Sequence, residues 1–330
     1  MVKLPSLGAV RSLKLPGTAR RASGLACINV WPDRVDVSRV AVAGKGRPEI
    51  QVCDSYRKLG GDAATLNRLR RELKLDQCRC TTLLKSGDYQ MVQLDAPGVL
   101  PNELKDAVRW RIKDMIDFPV NDATVDAILI PGAEGSAAQA LAVAARNQVI
   151  AATIKPFNDA DIPLEIIDVP EFAQRNIARC YESEGRGVAA LCLDDRGGIL
   201  TFTSGGELYQ HRRIDVSLSS LSSAGTEQKD GAEVRMELEG PFERLVMELQ
   251  RSLDHFERRF PNVTLAKLVV TPVLGKDNLR SYLSNRLDLP VEMLYLFEVM
   301  DFPDIAELHE PAQQARYLHA IGAAMRVEAP

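Results

Sequence analysis

Three successive stretches near the start of the chain read as β: LACINV is a short apolar run, and RVDVSRVAV and EIQVCDSY alternate apolar with polar residues. A period of two predicts β-strands, and turn residues near Pro32-Asp33 and at Gly44-Lys45-Gly46 separate them. The period then changes. Leu66, Leu69 and Leu73 recur at helical spacing, which predicts a helix over about 62 to 75, with strands at about 78 to 85 and 89 to 94. In LDAPGVLPNELKDAVRWRIKDMIDFPV, residues Pro97, Gly98 and Pro101 bar a helix before Asn102. Asn102 is placed to cap one there, with Glu103 and Asp106 at its positive end. Leu104, Ala107, Val108, Met115 and Ile116 share one face of that helix, Lys105, Arg109 and Lys113 lie off it, and Pro119 stops it. A hairpin follows over about 124 to 145, then a helix from Asn147 that Pro156 should kink or end. PLEIIDV reads as a strand, and Pro170 sits where a first helical turn accepts proline.

At residue 187 the opening pattern returns. GVAALCL, GILTFTS and ELYQHRRI are again three strands, split at Asp195-Arg196-Gly197 and at Gly205-Gly206. Two such meanders, each followed by helices and further strands, predict a duplicated α/β architecture. Residues 215 to 238, rich in Ser, Gly and charge, read as an exposed loop or insertion. Phe242, Leu245, Val246, Leu249, Leu253, Phe256 and Phe260 form an apolar stripe that predicts a strong helix over about 239 to 260. A strand LAKLVVT, a helix at about 277 to 287, a strand VEMLYL and a last helix at about 311 to 326 complete the pattern.

Length adds a second lobe or domain, because 330 residues exceed one compact core. The composition, 45% hydrophobic and 26% charged, is that of an ordinary globular protein. A net charge of -4 argues against a general nucleic-acid binder, and no apolar run reaches the length of a membrane span. Residues 1 to 22 carry Lys3, Arg11, Lys14, Arg20 and Arg21 with no acidic residue, and they read as a disordered basic leader rather than a secretory signal. Cysteines lie at 27, 53, 78, 80, 180 and 192, and only Cys78 and Cys80 are close; without a second Cys or His cluster they read as free thiols. The histidines at 211, 255, 309 and 319 form no ligand motif, so no metal is assigned.

The Pro-led helix carrying AVRW and ending in an acidic residue plus FP resembles the PilM-type proteins of type IV pilus assembly. ALAVAARNQVI, PLEIIDVPEFA, RSLDHFERRF and the closing AIGAAMR carry the likeness from about Gly24 to Arg326. Within that group the wording is most similar to the branch that serves the mannose-sensitive haemagglutinin (MSHA) pilus. The resemblance implies an actin-like, ribonuclease H-like duplicated two-lobe α/β fold with a PilM-type variant subdomain. On this chain that means a first lobe over 23–186 with the variant subdomain at about 88–160. The second lobe covers 187–330, its last helix reaching back toward the first.

Actin-like proteins hold ATP between two hairpins, each with an Asp-x-Gly turn, and a glycine pair; the turn amides meet phosphate and the carboxylates orient Mg²⁺. Set against that pattern, the first aspartate matches Asn29, its glycine Trp31 and a later lysine Asp36. In the second hairpin Asp194 is kept, but the glycine position is Arg196, with Gly197 and Gly198 one residue out of register. Of the third element only Gly275 remains. Asp194 is then either a metal-orienting carboxylate or part of a tight turn. The summed losses favour the turn, and with it a degenerate cleft and no cofactor. The resemblance further implies a cytoplasmic protein, peripheral to the inner membrane. Its partner would be a PilN-like single-pass membrane protein, whose cytoplasmic N-terminal peptide is gripped in an apolar groove, and it would join that partner to the cytoplasmic motor ATPase. Val108, Trp110, Met115 and Phe118 are the expected lining, although packing on their own sheet gives the same pattern. The competing reading is an actin-like ATPase or nucleotide switch.

Overall fold

The computed structural model describes residues 25–42, 46–132, 138–183, 185–223, 240–273, 278–302 and 305–326. The basic segment 1–22, most of the 215–238 stretch and Gly275 lie outside these residues. Two compact bodies divide the chain, Met1–Val37 with Ser55–Val169, and Ser38–Asp54 with Pro170–Pro330. The division therefore falls at Val169/Pro170 rather than at the expected 186/187, and the end of the second strand (from Ser38) and the start of the third (to Asp54) count with the second body.

The chain begins with β1 (Leu25–Val30), β2 (Arg34–Ala41) and β3 (Glu49–Arg57), the last two divided between the bodies, followed by α1 (Asp62–Leu73). α1 turns Thr65, Leu66 and Leu69 inward and closes at Lys74, whose φ of 54° ends the helix in the left-handed region. β4 (Arg79–Leu83) lies parallel to β1, with Cys27 opposite Thr81. Between β4 and the strand that completes the sheet, the chain inserts β5 (Tyr89–Asp95), α2 (Leu104–Arg111), β6 (Ala123–Ile130), β7 (Gln139–Arg146) and α3 (Asn147–Asp159). β8 (Leu164–Asp168) then pairs parallel with β4, giving the order β3-β2-β1-β4-β8. The inserted strands form an antiparallel sheet of their own, β5-β7-β6, within the 88–160 span expected to vary.

Two local expectations give way in this insert. Asn102 caps nothing: α2 starts at Leu104 with Glu103 at its N-cap and no side-chain cap bond. It also ends at Arg111, well short of Pro119, and residues 112–118 continue as turns. Pro156 does not end α3, which runs on to Asp159 because Ile150 and Phe157 are anchored in the core. Proline removes one bond of the helical ladder, and Ala152, whose carbonyl loses its donor, is exposed to water.

The second body contains α4 (Pro170–Ala178), β9 (Gly187–Asp194), β10 (Gly197–Ser204), β11 (Glu207–Ile214), α5 (Leu218–Ser223) and α6 (Pro241–Arg259). It continues with β12 (Leu265–Val270), α7 (Leu279–Ser284), β13 (Val291–Met293), α8 (Leu296–Val299), α9 (Ala306–His309) and α10 (Pro311–Ala324). Its sheet order, β11-β10-β9-β12-β13, repeats the first: three consecutive strands, then two parallel ones added beside the first of the three. That repetition is the duplication the two meanders predict. α6 buries Phe242, Leu245, Leu249 and Phe256, each contributing about 1.5–3 kcal/mol on leaving water. Phe256 stacks on Phe202 of β10 with ring centres 4.5 Å apart. The last helix, α10, packs on α4 inside the second body: Asn176 Nδ2 donates to Gly322 O at 2.9 Å. Among the described residues no helix is long and apolar enough to cross a membrane.

Candidate functional site

The two hairpins that would carry phosphate contacts belong to different bodies, and each is described by itself. In the first, Asn29 is the fifth residue of the buried strand β1, and its side chain turns toward β4. Its Oδ1 accepts a bond from Leu83 N at 3.1 Å and from Cys27 Sγ at 3.6 Å, so the amide braces two parallel strands. Trp31 opens the β1–β2 turn, its backbone N–H donating to Arg34 O at 2.9 Å. Two cations lie against the indole, with Arg34 Cζ 5.2 Å and Lys85 Nζ 5.7 Å from the ring centre. Its Nε1 is buried with no hydrogen-bond partner among the described residues. Asp36 is buried, accepting from Ser55 Oγ at 2.6 Å with Arg34 Nε at 3.3 Å. All three positions are engaged inside their own body.

In the second hairpin Asp194 is exposed, and its Oδ1 accepts from Arg196 N at 2.6 Å, which closes the turn from β9 to β10. Gly197 has φ +134°, and a Cβ there would stand 2.7 Å from Ile214 O of β11. A Cβ on Gly198 would meet Leu193 Cδ2 at 2.8 Å. The strand itself therefore requires Gly197, with no phosphate needed to account for it, while Gly198 packs against the end of the Leu193 side chain. The first hairpin presents neither a free carboxylate nor a glycine turn. In the second the exposed Asp194 gives one oxygen to the turn while Gly197 packs against β11. Neither hairpin, taken by itself, therefore pairs a carboxylate with the open glycine turn that ATP with Mg²⁺ calls for.

Beside β9–β11 lies a polar cluster that the sequence patterns passed over. Gln174 Nε2 donates to Ala190 O (2.8 Å), Ile199 O (3.0 Å) and Thr201 Oγ1 (3.1 Å). The buried Glu171 pairs with Arg213 at 3.2 Å. Burial holds His319 down to about 4, against the pull of Glu171 and Asp194, and burial lowers His211 as well. The available signal was Glu171 and Gln174 three apart on a helix face shared with Ala173 and Ile177, all buried. The cysteines show no reactive pair: Cys78 and Cys80 are buried, and burial raises Cys80 to about 12. Among the described residues no group of three or more His, Cys, Asp or Glu could hold a metal ion.

The four expected groove residues separate into two kinds. Val108 is fully buried and Phe118 is 9% exposed, both in the core that α2 and its following turns make with β6 and β7. Neither offers surface to a peptide, which corrects the expected lining. The Phe118 ring also carries Arg146 Cζ at 4.6 Å. Trp110 and Met115 are 61% and 50% exposed, and Leu100, just before α2, is 64% exposed. Flanking charges are tied down: Arg109 Nη2 donates to Val120 O at 2.7 Å, and Arg111 Nη1 to Asp95 O at 3.1 Å. Trp110 thus stands out between two anchored arginines.

No protein-family model matches the chain, nor does any curated protein. Among solved structures the chain is similar to one from the PilM–PilN type IV pilus biogenesis complex, with a TM-score of 0.66 and 19% identity, covering 92% of this chain and 98% of that one. A weaker likeness, TM-score 0.43 and 12% identity over 89% of this chain and 94% of that one, is to the cytoplasmic domain of EpsL, an inner-membrane component of the type II secretion system of Vibrio cholerae. Another, TM-score 0.46 and 8% identity over 87% and 96%, is to a Bacteroides thetaiotaomicron protein with an actin-like ATPase fold. The repeated sheet order and the end-to-end match to the pilus protein together identify an actin-like fold.

Proposed function

We propose that this chain is a non-catalytic scaffold of a type IV pilus assembly platform. It binds the cytoplasmic N-terminal peptide of a PilN-like single-pass membrane protein and links that partner to the cytoplasmic motor ATPase. The observation that carries this reading is the match along almost the whole of both chains to the pilus protein solved with PilN. The committed positions of Asn29, Trp31 and Asp36, and the strand-filled Gly197, support a scaffold over a nucleotide switch. On this reading the protein is cytoplasmic and meets the inner membrane through its partner. The sequence wording further favours an MSHA-like pilus and a protein of the MshI type.

The peptide surface is assigned to Trp110 and Met115, the two expected residues that reach solvent. The test is a fluorescence-anisotropy titration with cytoplasmic N-terminal peptides of single-pass pilus assembly proteins. A saturable signal is expected, weakened at least tenfold in Trp110→Ala with the circular dichroism unchanged. Full retention of binding in that variant removes the site assignment. In parallel, labelled ATP with Mg²⁺ is expected to give no saturable binding; a tight, saturable curve would favour the nucleotide-switch reading instead.

A further inference from the structure

In the second body α6 lies alongside β11, the edge strand of its sheet, and three pairs fix their alignment. Arg244 meets Asp215, just past the end of β11. His255 Nδ1 stands 3.1 Å from Gln210 Oε1, and the Phe260 ring meets Tyr209 edge-on at 5.3 Å. Helix and strand therefore run in opposite directions. From Asp215 back to Gln210 the strand covers about 16 Å, and from Arg244 to His255 the helix covers the same length. On that scale Arg212 and Arg251 are level with each other, each about 10 Å from the Arg244–Asp215 pair. Arg212 also shares the strand face of Gln210 and Ile214, which is the face turned toward α6.

Charge is matched at one end of this alignment and not at the other. At the first end Arg244 pairs with both Asp215 and Glu248, and Glu248 also accepts from Asp215 N at 3.0 Å. At the other end Arg212, Arg251, Arg258 and Arg259 are all exposed, and residues 251–259 supply two carboxylates, Asp254 and Glu257. Arg258 Nε donates to Asp254 O, and among the described residues no ion pair engages Arg212, Arg251 or Arg258. Burial lowers the His255 imidazole, and Arg212, Arg259 and Arg258 lower it further, as a positive local field requires. Arg258 and Arg259 answer the negative end of α6. Arg212 belongs to another element and Arg251 lies two turns back, so the helix dipole accounts for neither. Met247, 48% exposed, sits one turn before Arg251.

We infer that this face of α6 and β11 docks an acidic segment of a partner protein, separately from the Trp110 surface. Its carboxylates meet the level pair Arg212 and Arg251, and Arg258 about 10 Å further on, while an apolar side chain beside them covers Met247. Every cation on α6 is an arginine, with no lysine between Gly240 and Phe260. Arginine's planar fork grips a carboxylate in two places, and Arg and Met are enriched in protein interfaces where Lys is depleted. The Arg244 end shows the same docking already made by Asp215, and the net charge of -4 disfavours a phosphate polyanion as the occupant.

The test selects displayed random nine-residue peptides on the full chain at about 0.15 M salt, where charges more than about 8 Å apart are screened. Enriched peptides are then measured by fluorescence polarisation. Sequences with two or more Asp or Glu beside a large apolar residue are expected. Arg212→Glu and Arg251→Glu, both at exposed side chains, should each weaken such a peptide at least tenfold with the circular dichroism unchanged. Met247→Ser should weaken it severalfold. Trp110→Ala should leave it unchanged, which keeps this face separate from the proposed pilus-peptide surface. The inference is overturned by absence of acidic enrichment, or by acidic peptides indifferent to both arginine variants. It is equally overturned if another occupant is preferred. A short RNA or phosphatidylglycerol vesicles, bound more tightly than any selected peptide and lost in Arg212→Glu, would show a phosphate partner. A synthetic peptide of residues 225–239, with five carboxylates and two cations, binding more tightly than any selected one would give this face to the chain itself.

Discussion

His319 Nε2 and Gln174 Oε1 stand 3.0 Å apart, a bond that joins α10 to α4. With Gln174 Oε1 as acceptor, the ring keeps its proton on Nε2 and stays neutral. Burial holds its pKa at about 4 against the ordinary 6.5, while Glu171 and Asp194 pull it upward and Arg213 pushes it further down. An unfolded chain therefore binds a proton that the folded one refuses between about pH 6.5 and 4. Stability should be unaffected above that window and fall on acidification through it, by about 3 kcal/mol from this residue. Urea denaturation at pH 7, 5.5 and 4.5 checks this. His319→Gln should flatten the acid limb, and the slope that remains belongs partly to His211, which burial also lowers.

Val108 and Trp110 are two residues apart and should answer truncation in opposite ways. Val108→Ala removes packing from a fully buried site and should cost about 2 kcal/mol by the cavity it leaves, read as a lower denaturation midpoint. Trp110→Ala, at a side chain 61% exposed, should stay within about 0.5 kcal/mol of the parent while losing peptide binding. A large stability loss in Trp110→Ala would place the indole in the core instead.

Gly197→Ala separates a strand requirement from a phosphate requirement. The added methyl would meet Ile214 O at 2.7 Å in a backbone of φ +134°, so the variant should lose on the order of 1–3 kcal/mol with no ligand present. A parent-like melting curve would mean that the glycine serves something other than the β10–β11 contact.

Thiol labelling tests the cysteine reading. Five of the six cysteines are buried and Cys180 is half-buried; burial raises Cys80 and Cys192 to about 12 and raises Cys27 and Cys180 as well. At pH 8 the native protein should react slowly at Cys180 and hardly elsewhere, and all six should react in denaturant. Rapid modification of Cys78 and Cys80 together would revive a redox pair.

The local patterns determined a great deal. LACINV and GVAALCL, short apolar runs buried on both faces, lie on the strands they predict, as does ELYQHRRI. The stripe from Phe242 to Phe256 lies buried on α6 in the same way, because short apolar runs and a period of 3.6 are properties of neighbouring residues. The repeat of three strands was legible for the same reason, and with it the duplicated architecture.

Tertiary structure decided what periodicity leaves open. A helix drawn from Asn102 to Phe118 puts Met115 on the face of Val108; because α2 stops at Arg111, the turns beyond it send Met115 out and Phe118 in. Whether Gly197 faces a ligand or a strand depends on Ile214, seventeen residues on, and Glu171 gains its meaning from Arg213 across the sheet. No window along the chain contains those partners. The sequence by itself determined which segments form strands and helices, since short-range sterics and one-sided burial act within a few residues. Only the folded chain decided which of their side chains are core, surface or mutually satisfied, since that depends on groups brought together from far apart.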